Sequence, residues 1–79
     1  MHELHLLEQL LADVLKYAQK NDLKKVSKIY LRMGEFTEIN PEILKFFLKE
    51  KAKNTLAQSA ELNIETSNKR ELTLLSIEG

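Results

Sequence analysis

Apolar residues recur with helical spacing at the start of the chain. From Glu3 to about Lys20 they form one stripe, which comprises Leu4, Leu6, Leu7, Leu10, Leu11, Val14, Leu15 and Ala18. This spacing is typical of a helix that buries one face. Asparagine readily takes the left-handed backbone conformation that ends helices, so Asn21 is expected to end this helix, with Asp22 in the turn that follows.

The next periodic segment alternates with a period of two. Apolar and more polar side chains take turns in the order Lys28, Ile29, Tyr30, Leu31, Arg32 and Met33. This is the pattern of a strand with one buried face, and Gly34 is expected to end it.

A second helix is predicted to begin at Asn40-Pro41-Glu42. Asn40 is a good N-cap, Pro41 has the backbone angle of a first helical position, and Glu42 faces the positive end of the helix dipole. The helix should run to about Asn54. The residues expected to face inward are Ile43, Leu44, Phe47, Leu48 and Ala52.

Two further strands follow. In the first, residues 61–66, Leu62 and Ile64 alternate with polar neighbours. In the second, which begins at Leu72, the apolar parity changes at Leu75 and Ile77, so either a bulge interrupts the strand or both of its faces are covered. The short polar segment 67–70 between these strands is typical of a hairpin turn.

The order helix, strand, helix, strand, strand predicts an α/β fold of the α+β two-layer type. Two helices should pack on one face of a three-stranded mixed sheet. The first two strands are expected to run parallel, joined through the second helix by a right-handed crossover. Residues 1–79 should form a single domain, because no linker, repeat or low-complexity segment divides them.

Composition narrows the possible functions. A chain of 79 residues has a small core that is marginal without a disulfide, a metal or a partner, and with no cysteine it can form neither a disulfide nor a Cys-based zinc site. The net charge is zero, so no general attraction to nucleic acid is expected. No segment is apolar enough to span a membrane, and no signal peptide pattern is present, which favours a cytoplasmic protein.

Catalysis has little support in the sequence. The chain contains no cysteine nucleophile and no glycine-rich phosphate loop, and its serines and histidines show no spacing typical of a catalytic triad. We therefore expect no enzymatic activity.

The first three residues, Met1-His2-Glu3, can chelate a metal if the chain begins with a free amine. The Met1 amine, the deprotonated amide nitrogen of His2 and the His2 Nδ1 can occupy three corners of a square, a geometry that suits Ni(II) or Cu(II). The Glu3 carboxylate is nearby. The alternatives are plain: a histidine at position 2 is often part of a frayed terminus, and an acidic residue in the first helical turn is favourable without any metal.

The chain as a whole resembles the nickel-binding domain of the HypA/HybF family, the nickel metallochaperones of hydrogenase maturation. Four segments carry the resemblance, and they are MHELHLLEQLL, KKVSKIYLRMGEFTEINPEILKFFL, AELNIE and RELTLLSIEG. The resemblance implies that His2 is the essential Ni(II) ligand, with the Met1 amine, the His2 amide and Glu3 completing the site. It also implies delivery of nickel to a hydrogenase precursor, or to urease, together with a maturation GTPase.

The chain departs from the family in two ways. Family members carry a zinc domain with paired Cys-x-x-Cys motifs between the last two strands, and here that insertion is absent between about residues 66 and 70, so no structural zinc is expected. A naturally reduced relative and a chain from which the zinc domain was excised would have the same pattern. The second departure is His5, where the family more often has a small residue. His5 either supplies a fourth nitrogen to the nickel or is a histidine without a metal role.

The rival interpretation is a metal-independent module that dimerises or docks on a larger protein. Its contacts would come from Phe46, the outer strand face, or Leu75 and Ile77, and exchange of the first helix or last strand would give a homodimer. Lysines at positions 45, 49 and 53 also form a basic stripe. Such a stripe can engage an acidic partner or phosphates, but it is more often a solvated face.

Overall fold

The computed structural model describes the backbone of residues 2–35 and 39–79, and the side chains of residues 5–35 and 39–79. It contains α1 (His2–Lys20), β1 (Lys28–Met33), α2 (Pro41–Lys51), β2 (Glu61–Thr66) and β3 (Leu72–Glu78). The expected order of elements and the α+β class are therefore confirmed.

The three strands form one mixed sheet in the order β2-β1-β3. β1 runs parallel to β2 and antiparallel to β3. A parallel pair needs a long connection between its strands, and α2 lies in the connection between β1 and β2. The register between β1 and β3 shifts between Tyr30 and Leu31, which pair with Ser76 and Leu74. Leu75 is the extra residue, so the change of parity in the sequence marks a bulge.

The core lies between the helices and one face of the sheet. Its fully buried side chains include Leu7 and Val14 of α1, Leu31 of β1 and Leu44 of α2. Ile43 was expected to face inward, but its side chain is 43% exposed. The reason is geometric: Leu44 and Leu48, one helical turn apart, define the buried face, and Ile43 lies about 100° around the helix from Leu44.

α1 ends with two hydrogen bonds that close its last turn. The Leu23 N–H donates to the Ala18 carbonyl at 2.9 Å, and the Asp22 N–H donates to the Gln19 carbonyl at 3.1 Å. This is the Schellman pattern, in which the residue after the cap is left-handed. That residue is Asp22, with φ of 56°, so the expectation that Asn21 would be left-handed was one residue early.

α2 begins as expected and ends early. Asn40 caps it, and its side-chain oxygen accepts a hydrogen bond from the Ile43 N–H at 2.8 Å. The helix ends at Lys51, three residues before the expected Asn54. Asn54 has φ of 66° and its N–H donates to the Gln58 side chain, so it belongs to the following turn.

The segment between β2 and β3 does not form a hairpin turn, and that expectation was wrong. The two strands lie on opposite sides of β1, so residues 67–71 must cross the end of β1 instead of joining neighbours. Hydrogen bonds attach the crossing to the chain just after β1: the Gly34 N–H donates to the Glu71 carbonyl at 2.7 Å and the Glu35 N–H to the Lys69 carbonyl at 3.1 Å.

Neither helix has the length and hydropathy needed to cross a membrane, a finding that covers the described part of the chain.

Candidate metal centre

α1 contains the proposed ligand positions 2, 3 and 5. The helix starts at His2, and its first turns are held to the core by Leu7 and Leu10, which are 0% and 4% exposed. His2 and Glu3 therefore lie in the first helical turn, at the positive end of the helix dipole.

The structure describes the side chain of only one of the four proposed ligands. Met1 lies outside the described residues, and so do the side chains of His2 and Glu3. The fourth, His5, is in α1 and its side chain is exposed. Positions three apart on a helix lie on neighbouring parts of its surface, so the helical backbone brings residues 2 and 5 to one side of α1.

Away from the N-terminus, no other cluster of metal-binding side chains exists in the part of the chain whose side chains are described. Within residues 5–35 and 39–79, no three His, Asp or Glu side chains come close enough together to hold a metal ion. The chain contains no cysteine.

The predicted basic stripe runs along α2 and into the turn that follows it. The side chains of Lys45, Lys49 and Lys53 are exposed. The Lys53 ammonium forms an ion pair with Glu50 at 3.1 Å, one helical turn earlier. An exposed pair of this kind contributes little to stability, which is typical of a solvated helix face.

Sequence reasoning missed a polar network on the open face of the sheet, the face away from the helices. The Arg32 Nε donates to the Glu65 carboxylate at 2.6 Å, and the Tyr30 hydroxyl donates to the Glu78 carboxylate at 2.7 Å. This hydrogen bond raises the pKa of Tyr30 above its ordinary value, with smaller contributions from desolvation and from nearby carboxylates. The signal was present in the sequence, because cations in β1 and glutamates in β2 occupy positions of the same parity.

Glu71 is the second part of that network that the sequence did not reveal. Its carboxylate accepts hydrogen bonds from the Ser67 hydroxyl at 2.8 Å and the Thr73 hydroxyl at 3.1 Å. The Ser67 bond is the main reason that the pKa of Glu71 is lowered, and the Thr73 bond and the charges of Arg32 and Lys69 act in the same direction against desolvation. Glu71 thus ties the crossing segment to β3.

Comparison with known proteins decides the family. A family model described as hydrogenase/urease nickel incorporation, metallochaperone, hypA matches residues 1–72. The chain belongs to this family. The expected HypA/HybF resemblance is confirmed, and the family is described as one of metallochaperones.

Individual relatives carry the same description. The chain is 38% identical over 64 residues to the hydrogenase maturation factor HypA of Archaeoglobus fulgidus, covering 81% of this chain and 58% of that protein. It is 42% identical over 65 residues to the HypA of Methanopyrus kandleri, covering 82% of this chain and 46% of that protein. The chain thus spans about half the length of the curated relatives it matches.

The solution structure of the Ni metallochaperone HypA from Helicobacter pylori has the same fold. It superposes with a TM-score of 0.75 and covers 94% of this chain and 93% of that one, at 15% sequence identity. At this level of identity the agreement establishes the arrangement of helices and strands, and it confirms the predicted α+β class.

Proposed function

We propose that this domain binds one Ni(II) ion as cargo at its N-terminus and releases it for the maturation of a nickel enzyme, a nickel–iron hydrogenase or urease. The observation that carries the proposal is the family match, which begins at residue 1 and so includes the Met1-His2-Glu3 chelating segment. The lack of another metal-binding cluster within residues 5–35 and 39–79 supports the same location.

The donor set fits the chemistry of Ni(II). The Met1 amine, the His2 amide nitrogen and the His2 imidazole are adjacent along the chain, so one short segment supplies three nitrogen donors without help from the rest of the fold. Glu3 completes the site in this proposal. His5, exposed and three residues after His2, is the competing fourth ligand.

Charge balance makes nickel compatible with this end of a helix. A cation at a helix N-terminus meets an unfavourable dipole, with a cost of about 0.3–1 kcal/mol near the surface. The deprotonated amide of His2 and the carboxylate of Glu3 offset the two charges of the metal. Because the amine, the amide and the imidazole must all be free of protons to bind, affinity should rise with pH, and acid should release the metal.

Nickel delivery requires partners, and we propose the classes that the family resemblance implies. They are a maturation GTPase and the precursor of the target enzyme. The zinc module of the family is proposed to be missing at the crossing between β2 and β3, where residues 67–71 join the two strands directly. The domain would then carry nickel without the contacts that a zinc module provides.

The decisive experiment is a Ni(II) titration of protein with an unmodified Met1 amine, followed by calorimetry and absorption spectroscopy. We expect one-to-one binding with a yellow square-planar band. His2→Ala and acetylation of the amine should each weaken binding by more than about a hundredfold, because even loss of a group that merely supports a ligand costs 10–100-fold. His5→Ala is the matched control: full affinity excludes His5 from the fourth position, and a partial loss assigns that position to His5.

Nickel affinity that is unchanged in both His2→Ala and the acetylated protein would overturn this proposal. Copper should bind the same chelate more tightly than nickel, so in vitro preference for copper does not count against it.

A further inference from the structure

β2 has one open edge. Its inner edge pairs with β1, where the Glu61 N–H donates to the Ser27 carbonyl at 2.8 Å and the Ser67 N–H to the Met33 carbonyl at 3.0 Å. Backbone groups alternate in direction along a strand, so the N–H and C=O groups of Leu62, Ile64 and Thr66 point away from β1. No strand of the described residues pairs with them.

A groove of about 420 Å³ lies between α2 and the start of β2, where it reaches Glu61 and Leu62. Its floor is apolar and includes Leu48 and Ala52 of α2 and Leu62 of β2, and its rim carries Lys45 and Lys49. The open edge and the groove together offer backbone hydrogen bonds and a place for alternate side chains, which are the two requirements of strand addition by a peptide.

The face of β2 opposite the groove carries exposed carboxylates at Glu61 and Glu65. β1 shows what a strand beside these residues requires. In register, Lys28 lies beside Glu61 and Arg32 beside Glu65, and the Arg32 Nε donates to the Glu65 carboxylate at 2.6 Å. The intervening apolar residues of β1 face the core, where Ile29, Leu31 and Met33 are buried.

A second copy of β2 pairs poorly on this edge in the register that is centred on Asn63. Antiparallel pairing of two β2 strands about a twofold axis through Asn63 would place Glu61 of each copy beside Glu65 of the other. Like charges directly opposite each other destabilise a strand pair. On the groove side, Lys45 and Lys49 disfavour basic side chains. An added strand is therefore expected to have its basic residues on the face that carries Glu61 and Glu65.

We propose that the outer edge of β2 binds an extended segment of a partner protein in which basic and aliphatic residues alternate. The aliphatic side chains lie on the α2 side of the sheet, with the one beside Leu62 in the groove. The basic side chains lie beside Glu61 and Glu65, and the backbone pairs with Leu62, Ile64 and Thr66. This surface is separate from the nickel-binding N-terminus and does not depend on nickel.

The first experiment uses a synthetic peptide with capped ends and the sequence of residues 28–33, KIYLRM. A matched peptide has glutamate in place of both cations. We expect the basic peptide to shift the backbone amide resonances of Leu62, Ile64 and Thr66, and to bind at least about fivefold more tightly than the acidic one, because two opposite-charge pairs replace two like-charge pairs. Equal affinities, shifts confined to β3, or no binding at millimolar peptide would each overturn the proposal.

Protein variants test the charges directly. Glu61→Gln with Glu65→Gln should remove the preference for the basic peptide. Glu61→Gln alone keeps the Arg32–Glu65 ion pair and should reduce the preference about twofold. This single variant replaces the double variant in the test if the double variant is unstable. Glu78→Gln, on the same face at the opposite edge strand, should leave it unchanged. A loss in the Glu78 variant equal to that in the Glu61 variant would contradict binding at β2.

Discussion

Gly34 lies where the segment between β2 and β3 crosses the end of β1. A Cβ atom at this position would lie 1.3 Å from the Lys69 carbonyl oxygen and 2.9 Å from the Glu71 nitrogen. The Lys69 carbonyl accepts a hydrogen bond from the Glu35 N–H, and the Glu71 carbonyl accepts one from the Gly34 N–H, so this backbone cannot move aside without breaking hydrogen bonds. Glycine is therefore required here by close packing of the backbone.

Gly34→Ala should destabilise the domain by about 1–3 kcal/mol, the range typical of overpacking at a site that cannot relax. Urea denaturation followed by circular dichroism measures this. Gly79→Ala is the control, because its Cβ would meet the flexible Leu23 side chain at 2.9 Å and should have little effect. Equal stability of the Gly34 and Gly79 variants would show that the crossing adjusts easily.

Residues also differ in how far the sequence alone reveals their role in the candidate site. The nitrogen donors of Met1 and His2 are neighbours along the chain, so the sequence alone shows that they can chelate one metal ion. Whether His5 joins them depends on the side-chain arrangement on α1, which spacing along the chain does not determine.

At the scale of elements, the ends of the helices are set by local hydrogen bonds. The start of α2 follows directly from Asn40-Pro41, because a capping oxygen and a fixed φ act within one turn. Its end was harder to place, because the residues after Lys51 retain helix-compatible side chains and the left-handed Asn54 is stabilised by a bond to Gln58. The bulge at Leu75 likewise could not be placed from the sequence alone. A bulge and a strand covered on both faces fitted the pattern equally, and the register with β1 decided for the bulge.

Asn40→Ala should lower the free energy of unfolding by about 1 kcal/mol, because the Ile43 N–H loses its side-chain acceptor. Asn40→Asp should retain most of the stability, because a carboxylate accepts the same bond and favours the helix dipole. Thermal unfolding of the three proteins makes the comparison. If the alanine and aspartate variants were equally destabilised, the cap would not account for the role of Asn40.

At the scale of the whole molecule, two groups that titrate hold parts of the sheet together: Tyr30 joins β1 to β3, and Glu71 joins the crossing segment to β3. The hydrogen bond from Ser67 lowers the pKa of Glu71 in the folded state. A lowered carboxyl pKa contributes stability that is present above the unfolded value and is lost as the pH falls through the folded value. The hydrogen bond to Glu78 raises the pKa of Tyr30, so its contribution is present below the unfolded value and is lost as the pH rises through the folded value.

We therefore expect stability to fall on both sides of neutral pH, below the ordinary carboxyl range and above a pH of about 10. Urea titrations across that range measure the effect. Glu71→Gln should reduce the fall in the free energy of unfolding at acid pH and leave the alkaline fall unchanged. Tyr30→Phe should reduce the alkaline fall and leave the acid fall unchanged. A pH profile that neither substitution alters would show that the bonds of these two groups do not contribute to stability.

The sequence by itself determined the elements, their order and the family, because hydrophobic period, caps and motif residues act over a few neighbouring positions. It also determined the candidate donors Met1, His2 and Glu3, which are consecutive. Only the tertiary structure decided that β2 and β3 lie on opposite sides of β1, that their connection crosses over Gly34, and that β2 has an open edge with glutamates beside it. Strand pairing joins residues that are more than 25 positions apart, as in Arg32 and Glu65, and no local pattern specifies which strands meet.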